Sequence, residues 1–553
     1  MKTSIQKSIT LTLIIAMLSG LMTACGAKDA VPNYAAPADN GGRDYSSVKE
    51  PILQQNNADE AYDGGDAEML TPEIAYAPEA DAEMPYQEEY HGVVESGFMN
   101  TLQNPLSTFS ADVDTASYAN VRRMIQNGEY VNPDAVRLEE MINYFNYDYL
   151  EPTDGAPFSV TTEMYDCPWN DENQLFLVGL QAEKLDLSNR PPMNLVFLID
   201  VSGSMYSSDK LPLAQQAVNM LAEQLTADDR ISIVTYSGKE EVVLEGASGN
   251  DYATISQAVN HLVAGGATAG ERGIVMAYEI AQKYFIESGN NRVVLATDGD
   301  LNVGLSSEQE LKELISEKRE TGVNLSVLGF GTGNLKDDRL EALADNGNGN
   351  YSYIDSLLEA QKVLVREMGG TLFTVAKDVK LQTEFNPEMV ESYRLIGYEN
   401  RTLNAEDFND DSVDAGEIGA GHTVTALYEL VLTDKAKLAT SNIELKYQPS
   451  EDTPTETELM TISMRYKEPD GDTSQLREYP IKANDCHTAQ IGKNLAFASA
   501  VTEFGMLVGQ RSYAGTASYE QIVALCGKTD IQDSYRAEFM ELAKLAKSQG
   551  IIN

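Results

Sequence analysis

Residues 194–199 read Asn-Leu-Val-Phe-Leu-Ile and run straight into Asp200-Val-Ser-Gly-Ser-Met205. An apolar run without alternation belongs to a strand buried on both faces, the kind found inside parallel sheets with helices on either side. Further strand-forming runs follow at 231–236, 292–297 and 324–330. Helical periodicity lies around them at 211–225, 252–263, 271–286, 307–321 and 338–345. Strands alternating with helices predict an α/β domain over 192–372, built on a doubly wound, mostly parallel sheet. Ligands of such sheets collect at the carboxyl ends of the strands.

Three oxygen donors, Asp200, Ser202 and Ser204, stand at alternate positions where the first strand ends. Gly203 is expected to let the backbone bend tightly between the serines. Two more donors close or open predicted elements downstream: Thr268 in Gly-Gly-Ala-Thr-Ala-Gly, and Asp298 after the apolar run 293–296. Carboxylate and hydroxyl oxygens with no nearby Cys or His suit a hard cation, Mg²⁺ or Mn²⁺ in its place. Taken singly each piece is common, so the case rests on their order and strand context.

Together these pieces resemble the metal-ion-dependent adhesion site of von Willebrand factor type A domains. The resemblance implies Mg²⁺ held by Asp200, Ser202, Ser204, Thr268 and Asp298, the two aspartates reaching it through water. It also implies a coordination place left open for an Asp or Glu of a partner protein. Neutral hydroxyls cancel little of the ion's charge, which favours an anionic oxygen from outside.

An enzyme is not expected. Phosphatases of the haloacid dehalogenase type need a second carboxylate two residues after the first, and Ser202 stands there. Neither a Ser-His-Asp arrangement nor a Gly-x-Ser-x-Gly elbow is visible. Asp112-Val-Asp114-Thr115 has the right acid spacing, but residues 107–111 look too short and polar for a buried strand, so Asp114 or Thr115 is read as a helix cap. The glycine-rich run 329–333 lacks a Lys and is read as a strand end turning into a tight loop.

A net charge of −46 argues against nucleic acid as a partner, because phosphates would be repelled. Lys2 and Lys7 precede an apolar stretch at 9–22, an export signal by length and position. It ends Leu21-Met-Thr-Ala-Cys25, which resembles a bacterial lipobox. That resemblance implies cleavage after residue 24, acylation of Cys25 and attachment to a cell or outer membrane, facing outside the cytoplasm. Residues 25–100 are rich in Ala, Asp, Glu, Pro and Gly, and are expected to form a disordered acidic tether with an r.m.s. span on the order of 50 Å. Cys167, Cys486 and Cys526 remain and can form one disulfide at most.

Segment 101–191 is expected to hold two short helices, led by Tyr118, Val121 and Ile125 and by Leu138, Met141 and Phe145, and then strands at 158–164 and 174–180. Beyond 372 the pattern turns to strands, at 379–385, 393–398, 422–432, 443–447 and 460–466. These belong to a β-sandwich region, 373–480, into which the parallel domain is inserted or beside which it stands. Residues 481–553 are expected to be helical, with stripes at 494–507 and along Tyr535, Phe539, Leu542 and Leu545.

Residues 109–123, 137–145 and 500–507 look like the flanks of bacterial lipoproteins that carry a von Willebrand factor type A domain. The expected function is a surface protein that adheres to a protein ligand through its metal; the alternatives are an envelope assembly protein whose metal only stabilises the fold and, least favoured, a metal-dependent hydrolase.

Overall fold

The computed structural model describes residues 88 and 90 and the chain from 92 onward. Residues 112–113, 154, 187–188, 267–270, 300–307, 333–334, 414, 441–457, 470 and 530–532 are excepted. The leader, Cys25, Thr268 and the strand expected at 443–447 therefore lie outside the described residues.

Four strands come first: β1 (Met99–Asn100), β2 (Leu106–Ser110), β3 (Phe158–Asp166) and β4 (Gln174–Ala182). Between β2 and β3 lie helices α1 (Ala116–Asn127) and α2 (Leu138–Asn143). Helix α1 stops at Gly128, whose left-handed φ of 69° lets its N–H turn back onto the Ile125 carbonyl.

The parallel sheet follows with β5 (Met193–Asp200), β6 (Arg230–Tyr236), β7 (Glu240–Ser248), β8 (Asn290–Thr297), β9 (Asn324–Phe330) and β10 (Tyr351–Ile354). Its strand order is β10-β9-β8-β5-β6-β7, and only β7 runs antiparallel to its neighbour. The central strand shows why the run at 195–199 is apolar throughout. Met193, Leu195, Phe197 and Ile199 enter one core with helices α3 (Leu211–Ala222) and α4 (Tyr252–Asn260). Val196 and Leu198 enter the opposite core with α5 (Glu271–Lys283), α6 (Glu308–Arg319) and α7 (Asp337–Asn346). Each fully buried Leu, Val or Phe contributes about 1.5–3 kcal/mol, so none of the positions 195–199 tolerates a polar residue cheaply.

After the parallel sheet come β11 (Thr374–Phe385), β12 (Val390–Ile396), β13 (Gly416–Gly419), β14 (Thr423–Leu432), β15 (Glu458–Lys467) and β16 (Gln475–Lys482). One sheet is ordered β1-β12-β14-β4-β3; the other is β13-β11-β15-β16, with β2 also pairing with β11. Strands from before and after the parallel domain thus share both sheets, and Leu177 on β4 pairs with Leu427 on β14. The parallel domain is an insertion in a split sandwich. Phe176, Val178 and Leu180 point into the sandwich core, while Leu175 and Leu177 point outward. That outer face is covered by the helices Lys493–Val508 and Ser534–Ser548 through Phe497, Phe504 and Phe539.

One expectation fails here, and another is met in part. Residues 106–110 do form a buried strand, because their polar side chains find partners: Tyr428 Oη donates to Ser107 Oγ at 3.0 Å and the Gly416 N–H to Ser110 Oγ at 2.7 Å. Of the two cap candidates it is Thr115 that holds the N-cap position of α1, without a side-chain cap bond. Asp114 instead accepts from the Tyr351 N–H at 3.2 Å and from Arg401 at 2.8 Å, while Glu140 of α2 takes the Ser117 N–H at 2.8 Å.

Candidate metal centre

Asp200 is the last residue of β5, and Asp298 directly follows β8, the adjacent parallel strand. Both carboxylates therefore emerge at the same edge of the sheet, and both are buried. The Ser202 N–H donates to Asp200 Oδ1 at 2.8 Å, folding the chain back after the strand. Ser202 then opens a single 3-10 turn, Gly203–Tyr206, which brings Ser204 Oγ to 2.9 Å from Ser202 Oγ. Thr297 Oγ1 reaches Asp200 Oδ2 at 3.4 Å and accepts the Gly299 N–H at 3.3 Å, tying the two strand ends together.

Four of the five expected donors, Asp200, Ser202, Ser204 and Asp298, thus sit together. Thr268 lies outside the described residues. Its loop can be followed as far as Gly266: the Gly265 N–H bonds the Val201 carbonyl at 2.7 Å and the Gly203 N–H bonds the Gly266 carbonyl at 3.1 Å.

The tight bend belongs to Gly266 rather than Gly203. Gly266 has φ +92° and an added Cβ would collide with the Ser237 hydroxyl, whereas a Cβ on Gly203 would meet only ordinary contact with the Gly266 carbonyl.

Burial pushes the Asp200 carboxyl up to about 6, with the Asp298 charge adding to the rise and the Ser202 hydrogen bonds opposing it. Two buried carboxylates beside two hydroxyls make an oxygen-only donor set. The set fits a hard divalent cation, which would relieve the repulsion between the acids. Among the described residues no three His, Cys, Asp or Glu side chains converge as metal ligands, so hydroxyls are indispensable to this donor set.

One partner of the site is absent from the sequence-based reading. Lys210 Nζ donates to Asp298 Oδ2 at 2.9 Å, and both groups are buried. The aliphatic stem of Lys210 lies where a Cβ on Gly331 would stand, and Gly331 has φ +74°. The glycine-rich run after β9 therefore makes room for this lysine, while Tyr353 Oη holds the Gly331 carbonyl at 2.8 Å. A signal was present: Lys210 occupies the N-cap of α3, an end where the helix dipole disfavours a cation unless an anion holds it.

A cavity of about 700 Å³, lined by Arg137, Glu139, Lys336 and Glu399 among others, contains none of these residues. The three cysteines 167, 486 and 526 are free and buried.

A family model for the von Willebrand factor type A domain matches residues 194–367, and one described as von Willebrand factor matches 84–177. A third, "Uncharacterized protein YfbK, C-terminal", matches 370–549. "Uncharacterized protein YfbK" of Escherichia coli (strain K12) is 43% identical over 459 residues, covering 80% of this chain and 78% of its own. "Inter-alpha-trypsin inhibitor heavy chain H3" of Bos taurus is 30% identical over 177 residues, covering 30% of this chain and 19% of that one. Among solved structures, "von Willebrand factor type A from Catenulispora acidiphila" aligns at 17% identity over 70% of this chain and 89% of that chain, with a TM-score of 0.41.

Proposed function

Because this chain belongs to the YfbK family of proteins with a von Willebrand factor type A domain, we propose that it is a non-enzymatic binding protein of the bacterial envelope. It captures a protein ligand through a Mg²⁺-dependent site completed by an Asp or Glu of that ligand. The observation that carries this proposal is the gathering of Asp200, Ser202, Ser204 and Asp298 at the carboxyl ends of two neighbouring parallel strands.

A bound Mg²⁺, or Mn²⁺, would supply a Lewis-acidic coordination place for an outside carboxylate. Asp200 and Asp298 provide the negative charge, and the Ser202 and Ser204 hydroxyls provide neutral oxygens; Thr268 is assigned the fifth role from the sequence. Around the centre, Tyr206 and Val263 are strongly exposed, on the two loops joined through Gly203 and Gly266. Large apolar side chains beside a polar anchor suit a protein surface better than a small solute. Acylation of Cys25 and the acidic segment after it would hold the folded part outside the cytoplasm on a tether.

The test is a pull-down from envelope extract with immobilised protein in Mg²⁺ or in EDTA, comparing wild type with Asp200→Ala. A ligand retained only by wild type in Mg²⁺ is expected. Equal retention under all four conditions would refute metal-dependent capture and favour an assembly role carried by the sandwich and helices.

A further inference from the structure

Lys210 is placed at cost. It starts a helix, where the dipole repels it, and it is buried, where an ammonium is held only by a partner. That partner is Asp298 at 2.9 Å. Gly331 keeps its left-handed backbone clear for the lysine stem. The neighbouring Asp209 is bonded to the Ser207 hydroxyl. The structure therefore builds a fixed positive charge into the metal centre.

We propose that Lys210 is a resident counter-cation, which holds Asp298 while the centre lacks a divalent ion and opposes the binding of that ion. The proposal rests on the metal reading above. Among the described donors Asp200 and Asp298 bring two negative charges and Lys210 one positive, a single net negative charge toward an incoming cation. Without the lysine there would be two. A divalent ion approaching Asp298 meets the ammonium at close range in a poorly screened setting, where like charges repel strongly. Either the ammonium withdraws and abandons a buried contact, or both cations share one carboxylate. Both outcomes weaken the metal. Removing the charge should tighten divalent binding while making the metal-free protein less stable.

The experiment is a Mn²⁺ titration followed by the EPR signal of the free ion, on wild type, Lys210→Met and Lys210→Gln, with Asp200→Ala as the control without a site. Tightening of about tenfold or more is expected in both lysine variants relative to wild type. Thermal melts in EDTA and in saturating Mn²⁺ provide the second readout. The lysine variants should melt below wild type in EDTA and gain more from Mn²⁺, whereas loss of packing alone would lower both melts equally. The glutamine variant keeps an amide donor for Asp298 and covers the case in which the methionine variant does not fold. Mn²⁺ binding that is unchanged or weaker in the lysine variants, with wild type binding normally, overturns the role of Lys210 and leaves the metal reading standing. Absence of Mn²⁺ binding in wild type and variants alike overturns the metal reading and this proposal with it.

Discussion

Arg122 and Asp355 form a two-point ion pair, Nε to Oδ2 at 2.8 Å and Nη2 to Oδ1 at 2.6 Å, joining helix α1 to the chain just beyond β10. The same guanidinium reaches Glu359 at 2.7 Å, and Tyr144 Oη donates to that carboxylate at 2.6 Å. Glu538 of the C-terminal helix approaches at 3.3 Å. One buried cation thus anchors the inserted domain to both flanks.

Replacing Arg122 with Met would strand Asp355 and Glu359 without their counter-charge in the interior. Loss of one partner of a buried pair costs about 3–5 kcal/mol. Urea unfolding of Arg122→Met should show a drop of this order, and the conservative Arg122→Lys should recover only part of it because Lys cannot make the two-point contact.

Glu503 predicts a pH dependence. It is buried in the helix Lys493–Val508, and burial pushes it up to about 8 against the lowering effect of a backbone hydrogen bond from Ser518. The unfolded chain releases this proton near the ordinary carboxylate value of ~4.3, whereas the folded chain keeps it until about 8. The contribution of Glu503 to stability therefore falls as pH rises through that window and levels off above it. At about 1.4 kcal/mol per pKa unit, the penalty amounts to a few kcal/mol. Glu503→Gln should match wild type at pH 4 and be the more stable protein at pH 9, measured by thermal melts across the range.

Gly266 predicts a lesion confined to the loop beside Ser202 and Ser204. With φ +92° and the Ser237 hydroxyl in the way, Gly266→Ala imposes strain that typically costs ~1–3 kcal/mol. The expected result is faster amide exchange at Gly203 and Gly265, whose N–H groups bond to and beside this loop, with protection on β5 and β8 unchanged.

The thiols offer a check on packing. Cys167, Cys486 and Cys526 are buried, and burial raises all three above the ordinary thiol range, Cys486 and Cys526 to about 12. Iodoacetamide at pH 8 should leave these positions unlabelled in the native protein and modify all three in guanidinium, as read by mass spectrometry.

The strands buried on both faces are the plainest in the sequence, though half-buried sandwich strands such as 158–164 and 460–466 were legible as well. Leu195 to Ile199 is apolar at every position, and Leu325 to Phe330 departs from that only at Gly329 and at Ser326, which accepts from Arg292, so both runs stand out. Strand β7 was missed because it forms an antiparallel edge, half exposed and charged at Glu240, Glu241 and Glu245. Strand β16 was missed for the same reason, with Arg477, Glu478 and Pro480 along an edge. The insertion of the parallel domain was left as one of two alternatives because strand pairing between distant segments leaves no local pattern. At the centre, Asp200, Ser202, Ser204 and Asp298 could be read from their positions at strand ends. Lys210 could not be assigned, since its partner stands 88 residues away, just past β8, and only the fold brings them together.

The split sandwich also dictates an order of events. Strand β4 needs β14, so its hydrogen-bonding edge waits until residue 427 and its neighbours have emerged. The inserted domain is continuous in sequence and can collapse first, shortening the effective loop between the two halves. A chain truncated before β14 would carry a finished parallel domain beside an orphan β3–β4 hairpin, a sticky product that quality-control proteases should remove.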